Sequence, residues 1–183
     1  MSMHNSISLE GKTFELYLSD EEIAEIVQRL ADAINEAYGR YQLDVILVSI
    51  LDGSFIFMAD LVRKLNFSHK VHFVKLKSYD DMESTAEVKY MLDLDVDVSG
   101  KHVLIIEDII DTGLTLESFT AKLLKSEPLS VKICTLLSKP EVHNDIVAVE
   151  YVGKEIPPEF IVGYGLDLNG YGRNLPAIYK LKV

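Results

Sequence analysis

At 183 residues the chain is long enough for one domain with a substantial core, which needs neither metal nor disulfide to hold it. Lys+Arg 18 against Asp+Glu 29 leaves a formal charge of −11, which disfavours non-specific binding to nucleic acid or anionic membrane yet leaves room for a small anionic ligand gripped by local amides and cations. The single cysteine, Cys134, lies in the apolar run VKICTLL, so an intramolecular disulfide is excluded and the thiol reads as a core residue rather than a nucleophile.

The N-terminal MSMHNSISLEGK has neither the basic start nor the apolar centre of a signal peptide. No window approaches the ~18 to 20 apolar residues that span a bilayer, and a cytoplasmic protein is expected. In SDEEIAEIVQRLADAINEAYG, residues Ile23, Ile26, Val27, Leu30, Ala31, Ile34 and Tyr38 recur at helical spacing. Ser19 with Glu22 makes a capping-box start, and Gly39 is placed to stop the helix. Asp44 to Leu51, DVILVSIL, is apolar and β-branched, as a strand covered on both faces requires. The turn DGS leads into Ser54 to Leu65, with helical periodicity, and Val71 to Lys77 alternates like a strand. Ser78 to Tyr90 is polar, with little periodicity, and suits a long loop or an irregular hairpin. After SGK come a strand at Val103 to Ile106, an acidic turn, a helix from about Thr115 to Leu124 and a strand at Val131 to Leu137.

This order predicts an open α/β domain with a mostly parallel twisted sheet flanked by helices, and a small lobe appended from the N-terminal segment and part of the C-terminal third. Such sheets bind ligands outside the carboxyl ends of their strands. The rule places Asp52 to Ser54, Ser78 and Tyr79, Glu107 to Thr115, and Lys139 along one rim.

The stretch from Val103 to Thr115 reads VLIIEDIIDTGLT. Carboxylates at a strand end suit either a metal or sugar hydroxyls. Asp111, Thr112 and Gly113 before a helix start resemble a phosphate cradle, in which backbone N–H groups and the Thr112 and Thr115 hydroxyls meet anionic oxygens. Gly113 permits positive φ and a close backbone approach. With the phosphate on neutral amides, Glu107 and Asp108 are left for ribose hydroxyls and for positive charge developing on the sugar. The residues therefore fit a ribose 5-phosphate that reacts at its anomeric carbon.

The same stretch resembles the phosphoribosyl pyrophosphate signature of type I phosphoribosyltransferases: an apolar strand, two acids, then Asp-Thr-Gly-x-Thr. LDGSFIFMADL, KLKSYDDMEST and EIPPEFIVGYGLDLNGYGRNL resemble, in order, blocks of the hypoxanthine-guanine phosphoribosyltransferases, over about Leu47 to Leu175. The resemblance implies transfer of ribose 5-phosphate from phosphoribosyl pyrophosphate to N9 of a 6-oxopurine, with Mg²⁺, by a homodimer or homotetramer. It implies that Glu107 and Asp108 bind the ribose hydroxyls directly or through metal, and that Asp111 sits near purine N7 as the acid/base group. Asp111, Thr112, Gly113, Leu114 and Thr115 would enclose the 5′-phosphate. Lys139 would donate to the 6-oxo group, Phe160 would stack on the base, and Ile161 would offer backbone contacts to it. Asp167 would ligate Mg²⁺ bound to pyrophosphate, and Arg173 would contact the pyrophosphate itself. Leu51, Asp52 and Gly53 match a pyrophosphate-binding loop in which the family often has a cis non-proline peptide. Here the chain departs from its relatives, which carry Lys where it has Asp52. Ser78 and Tyr79 match the start of a mobile loop that would close over the reacting centre and exclude water.

Two other classes compete with this reading. A regulator that senses phosphoribosyl pyrophosphate and binds nucleic acid needs a basic face or an added DNA-binding domain, which neither charge nor length supplies. A receiver-type signalling module accounts for the acids but not for DTG or the final third of the chain.

Overall fold

Side-chain alternation along the central strands decides which helix covers which face. The computed structural model describes residues 5–39, 44–78, 88–143 and 148–182. Six strands form the larger sheet: β3 (Val45–Leu51), β4 (His69–Ser78), β5 (Val88–Leu92), β6 (His102–Ile110), β7 (Ser130–Ser138) and β8 (Tyr151–Glu155), in the order β5-β4-β3-β6-β7-β8. All neighbours run parallel except β5, which pairs antiparallel with β4 at the edge. Val45 and Leu47 of β3 and Leu104 and Ile106 of β6 point to one face, into a cluster with helices α1 (Asp20–Tyr38) and α2 (Phe55–Val62). Ile46, Val48, Ile50, Val103 and Ile105 point to the other, where Leu116, Phe119 and Leu123 of α3 (Leu114–Leu124) meet them. Strands covered on both faces read as unbroken apolar runs, which is how this sheet reads in the sequence.

Helix α1 starts as its sequence predicts. The Ser19 hydroxyl accepts from the Glu22 amide at 3.2 Å, and the Glu22 carboxylate accepts from the Ser19 amide at 2.8 Å. Removing that cap with Ser19→Ala is expected to cost about 1 kcal/mol, read as a lower urea midpoint at unchanged slope. An unmoved midpoint would show that the box contributes nothing.

Three local expectations change. Strand β6 does not end at Ile106: it stays in register with β7 through Ile110↔Ser138, so Glu107 and Asp108 lie on a strand and not in a turn. The helix expected from Ser54 to Leu65 spans only Phe55–Val62. Ser54, placed on the rim from its sequence position, is buried: its hydroxyl donates to the Ile50 carbonyl and accepts from Ser49 Oγ at 2.7 Å. That closes the turn after β3 from inside. The polar segment from Ser78 contributes its far end as β5, whereas residues 79–87 lie outside the described residues.

The second sheet has four strands, β1 (Ser6–Leu9), β2 (Lys12–Leu18), β10 (Ile178–Leu181) and β9 (Ile161–Val162), in the order β1-β2-β10-β9. Phe14, Val162, Ala177 and Tyr179 form its own apolar cluster. A short helix, α4 (Pro140–His143), follows β7. Among the described residues no helix is long and apolar enough to cross a membrane. Cys134 is fully buried, and burial pushes its thiol up out of reach of ionisation.

Candidate active site

Strand β3 lies between β4 and β6, and the chain leaves β3 and β6 in opposite directions. The loop after β3 enters α2 on one face of the sheet, and the turn after β6 enters α3 on the other. Diverging connections at adjacent strands open a crevice at their carboxyl ends. A cavity of ≈ 330 Å³ lies there, lined by Leu51, Asp52 and Gly53 from one side, Glu107 to Gly113 with Thr115 from the centre, and Leu166, Asp167 and Arg173 from above.

Asp108 is buried, and the backbone of the 51–54 loop presses on its carboxylate. A Cβ at Gly53 would stand 1.7 Å from Asp108 Oδ2. The Leu51–Asp52 peptide within this loop is cis, in line with the family habit. Burial pushes Glu107 well above the usual carboxylate range, and the adjacent Asp108 adds to this. Burial also raises Asp108, while the hydrogen bond from Glu107 acts the other way. Two adjacent carboxyls that are both held above their ordinary range favour any ligand that brings positive charge or hydroxyl donors.

Beyond the pair, Gly113 adopts φ +76 and serves as the N-cap of α3 with no side chain capping it. The first-turn amides of that helix are thus available to an anion, beside the Thr112 and Thr115 side chains that line the cavity. Leu114 is different: it is 49% exposed and does not line the cavity.

Lys139 sits where β7 ends. Its amide donates to the Ile110 carbonyl at 2.9 Å, and its ammonium reaches Asp111 Oδ2 at 2.9 Å. The lysine side chain is 10% exposed, so Asp111 is the partner that makes its burial tolerable. Sequence position put both residues on the rim. Their direct pairing is a tertiary contact across 28 residues of sequence.

Opposite, the Arg173 guanidinium pairs with Asp167 at 2.9 Å and donates to the Gly165 carbonyl at 2.7 Å. Asp167 also accepts from the Gly170 amide at 2.6 Å, which closes the GLDLNG turn. Asp52 lies 3.9 Å from Arg173 and takes both carboxylate bonds from Lys75, at 2.7 and 2.9 Å. The parallel register sets Leu51 beside Lys75, which brings the Lys75 ammonium onto the Asp52 carboxylate. Nothing in VHFVKLK marks one lysine over another, and only strand pairing reveals it.

Not every candidate meets the cavity. Phe160 is 46% exposed, with its ring 6.3 Å from that of Phe14, and Ile161 is buried in β9; neither lines the space described above. Ser78 ends β4, and Tyr79 lies outside the described residues. Among the described residues, no three carboxylate, imidazole or thiolate groups converge on one point. Glu107, Asp108 and Asp167 instead present hard oxygens from two sides. That set fits Mg²⁺, which binds through one or two carboxylates and takes its remaining ligands from water and substrate phosphate.

Comparison with known proteins agrees with this geometry. Residues 15–169 match the phosphoribosyl transferase domain. The chain is 45% identical over 170 residues to the hypoxanthine phosphoribosyltransferase of Escherichia coli, covering 92% of this chain and 96% of that one. It is 40% identical over 175 residues to the hypoxanthine-guanine phosphoribosyltransferase of Aquifex aeolicus, covering 95% and 98%. A crystal structure of a hypoxanthine phosphoribosyltransferase from Staphylococcus aureus superposes with a TM-score of 0.86 at 39% identity, covering 92% of this chain and 91% of that one.

Proposed function

Because this chain belongs to the phosphoribosyltransferase family, among the hypoxanthine and hypoxanthine-guanine enzymes, we propose that its cavity transfers ribose 5-phosphate from phosphoribosyl pyrophosphate to N9 of a 6-oxopurine, with loss of pyrophosphate. The protein is a purine-salvage transferase of the type I fold. The observation that carries the residue assignment is the division of labour around one cavity: the acids Glu107 and Asp108 on β6, helix amides beside Gly113, and Asp111 at its edge paired with Lys139.

In this reading the 5-phosphate rests on the amides from Asp111 to Thr115, and Glu107 and Asp108 accept the ribose hydroxyls. As the sugar carbon parts from pyrophosphate it gains positive charge, and the β6 acids stabilise it. The purine divides the Lys139–Asp111 pair: the ammonium donates to the 6-oxo group, and the freed carboxylate faces N7, where it takes or shares the proton. From beyond the lined space Phe160 would stack on the base and Ile161 would offer it backbone contacts, and Arg173 with the 51–53 loop faces the leaving pyrophosphate. Mg²⁺, held by Asp167 and the β6 acids, would neutralise the leaving group. The four-stranded sheet serves as a hood of the same domain, and the working form is a cytoplasmic homodimer or homotetramer.

Incubation with phosphoribosyl pyrophosphate, Mg²⁺ and one base at a time tests this. Nucleotide is expected from hypoxanthine and also from guanine, with little from adenine, whose 6-amino group would set a donor against the Lys139 donor. Faster turnover of adenine than hypoxanthine would reject the role given to Lys139.

A further inference from the structure

Tyr164 stands outside the cavity yet joins two of its walls. Its hydroxyl donates to Asp60 Oδ2 at 2.7 Å, across 104 residues of sequence. Asp60 belongs to α2, the helix that begins as the 51–54 loop ends. Tyr164 opens the segment that carries Asp167 and Arg173. That segment is closed on itself: the Tyr164 amide donates to the Leu175 carbonyl at 2.8 Å, the Gly165 amide to the Arg173 carbonyl at 2.9 Å, and Arg173 back to the Gly165 carbonyl. Whatever holds Tyr164 therefore holds Arg173.

The two walls also touch at Gly165, where φ is +100 and a Cβ would stand 1.9 Å from the Gly53 carbonyl oxygen. Contact of this kind limits how closely the walls approach but does not fix their lateral position. A hydrogen bond is directional and does fix it. Tyr164 itself has φ +49, an uncommon conformation for a bulky side chain that persists only where the surroundings hold it. Burial, and after it the bond to Asp60, raises the Tyr164 hydroxyl far above the usual phenol range, so it stays a donor.

We propose that the Tyr164–Asp60 hydrogen bond positions the Asp167 and Arg173 segment over the 51–54 loop and so sets affinity for the diphosphate end of the donor substrate. The proposal rests on the assignment of Asp167 and Arg173 to that end. Tyr164 and Asp60 are positioning residues, since neither lines the cavity.

Tyr164→Phe keeps the ring and removes only the donor. Its expected effect is about a fivefold rise in KM for phosphoribosyl pyrophosphate and in the calorimetric Kd of magnesium pyrophosphate, the worth of one net hydrogen bond. KM for hypoxanthine, set at the other end of the cavity, is expected to stay within about twofold. Asp60→Ala should match Tyr164→Phe, and the double variant should be no worse than either single one. Asp60→Asn keeps an acceptor oxygen and should lie within about twofold of the parent. Arg63→Ala controls for the exposed pair Asp60 makes with Arg63 and should change nothing. Equal rises in both KM values, additive single effects, or no effect of Tyr164→Phe would overturn the proposal. Should Tyr164→Phe not fold, Asp60→Ala against Asp60→Asn decides the same question. Absence of product with the unaltered protein would count against the functional reading alone, because magnesium pyrophosphate binding still reports on the strut.

Discussion

Asp111→Ala is expected to lower kcat for hypoxanthine by about 100-fold or more, within the range ascribed to a positioned acid/base group, while the Kd of phosphoribosyl pyrophosphate changes by no more than about threefold. The split follows from where the carboxylate points. Asp111 Oδ2 meets Lys139, on the side assigned to the base, whereas the donor is assigned to helix amides, the β6 acids and Arg173. Removing the carboxylate also leaves an almost buried ammonium without its counter-ion, which costs stability of its own. Asp111→Asn is the cleaner companion, because it keeps the volume and an acceptor oxygen for Lys139. Melting temperatures of both variants separate loss of fold from loss of chemistry. Equal losses in kcat and in donor affinity would make Asp111 a binding residue.

Gly53→Ala should be nearly as damaging with a much smaller chemical change. Its Cβ would lie 1.7 Å from Asp108 Oδ2 and 2.6 Å from Cγ, so either the carboxylate or the 51–54 loop must give way. Displacing a reacting group by about 1 Å is enough to lose about 100-fold in rate, and kcat/KM for phosphoribosyl pyrophosphate is expected to fall by that order. A methyl group tolerated with full activity would mean that the loop does not lie against Asp108 in the working enzyme.

Much of the fold could be read directly from the chain, for local reasons. The period of α1 and its Ser19/Glu22 box are properties of a single segment, as are the unbroken apolar runs of β3 and β7. The crevice itself followed from strand order. What escaped prediction depends on partners distant in sequence. The extension of β6 through Glu107 and Asp108 is enforced by its ladder with β7, against the ordinary expectation that charge ends a buried strand. Ser54 looked like a rim residue because its inward bonds to Ile50 and Ser49 need the folded turn. Lys75 becomes relevant only once the parallel register sets it beside Leu51, and Tyr164 only once α2 packs under the 163–175 segment. The Lys139–Asp111 pair is of the same sort. Each residue carried a role by position, but the bond between them is a tertiary fact.

The acids on β6 are anchored by a hydrogen-bonded ladder inside the sheet, whereas Lys139 begins a short helical turn and Phe160 projects from the margin of a two-residue strand. On the proposed assignment the sugar, the invariant half of the chemistry, would be gripped from the hydrogen-bonded sheet, and the nucleobase, the variable half, would be met by pieces that can be exchanged singly. Efforts to redirect the enzyme toward unnatural bases should therefore alter those outlying pieces and leave the sheet untouched.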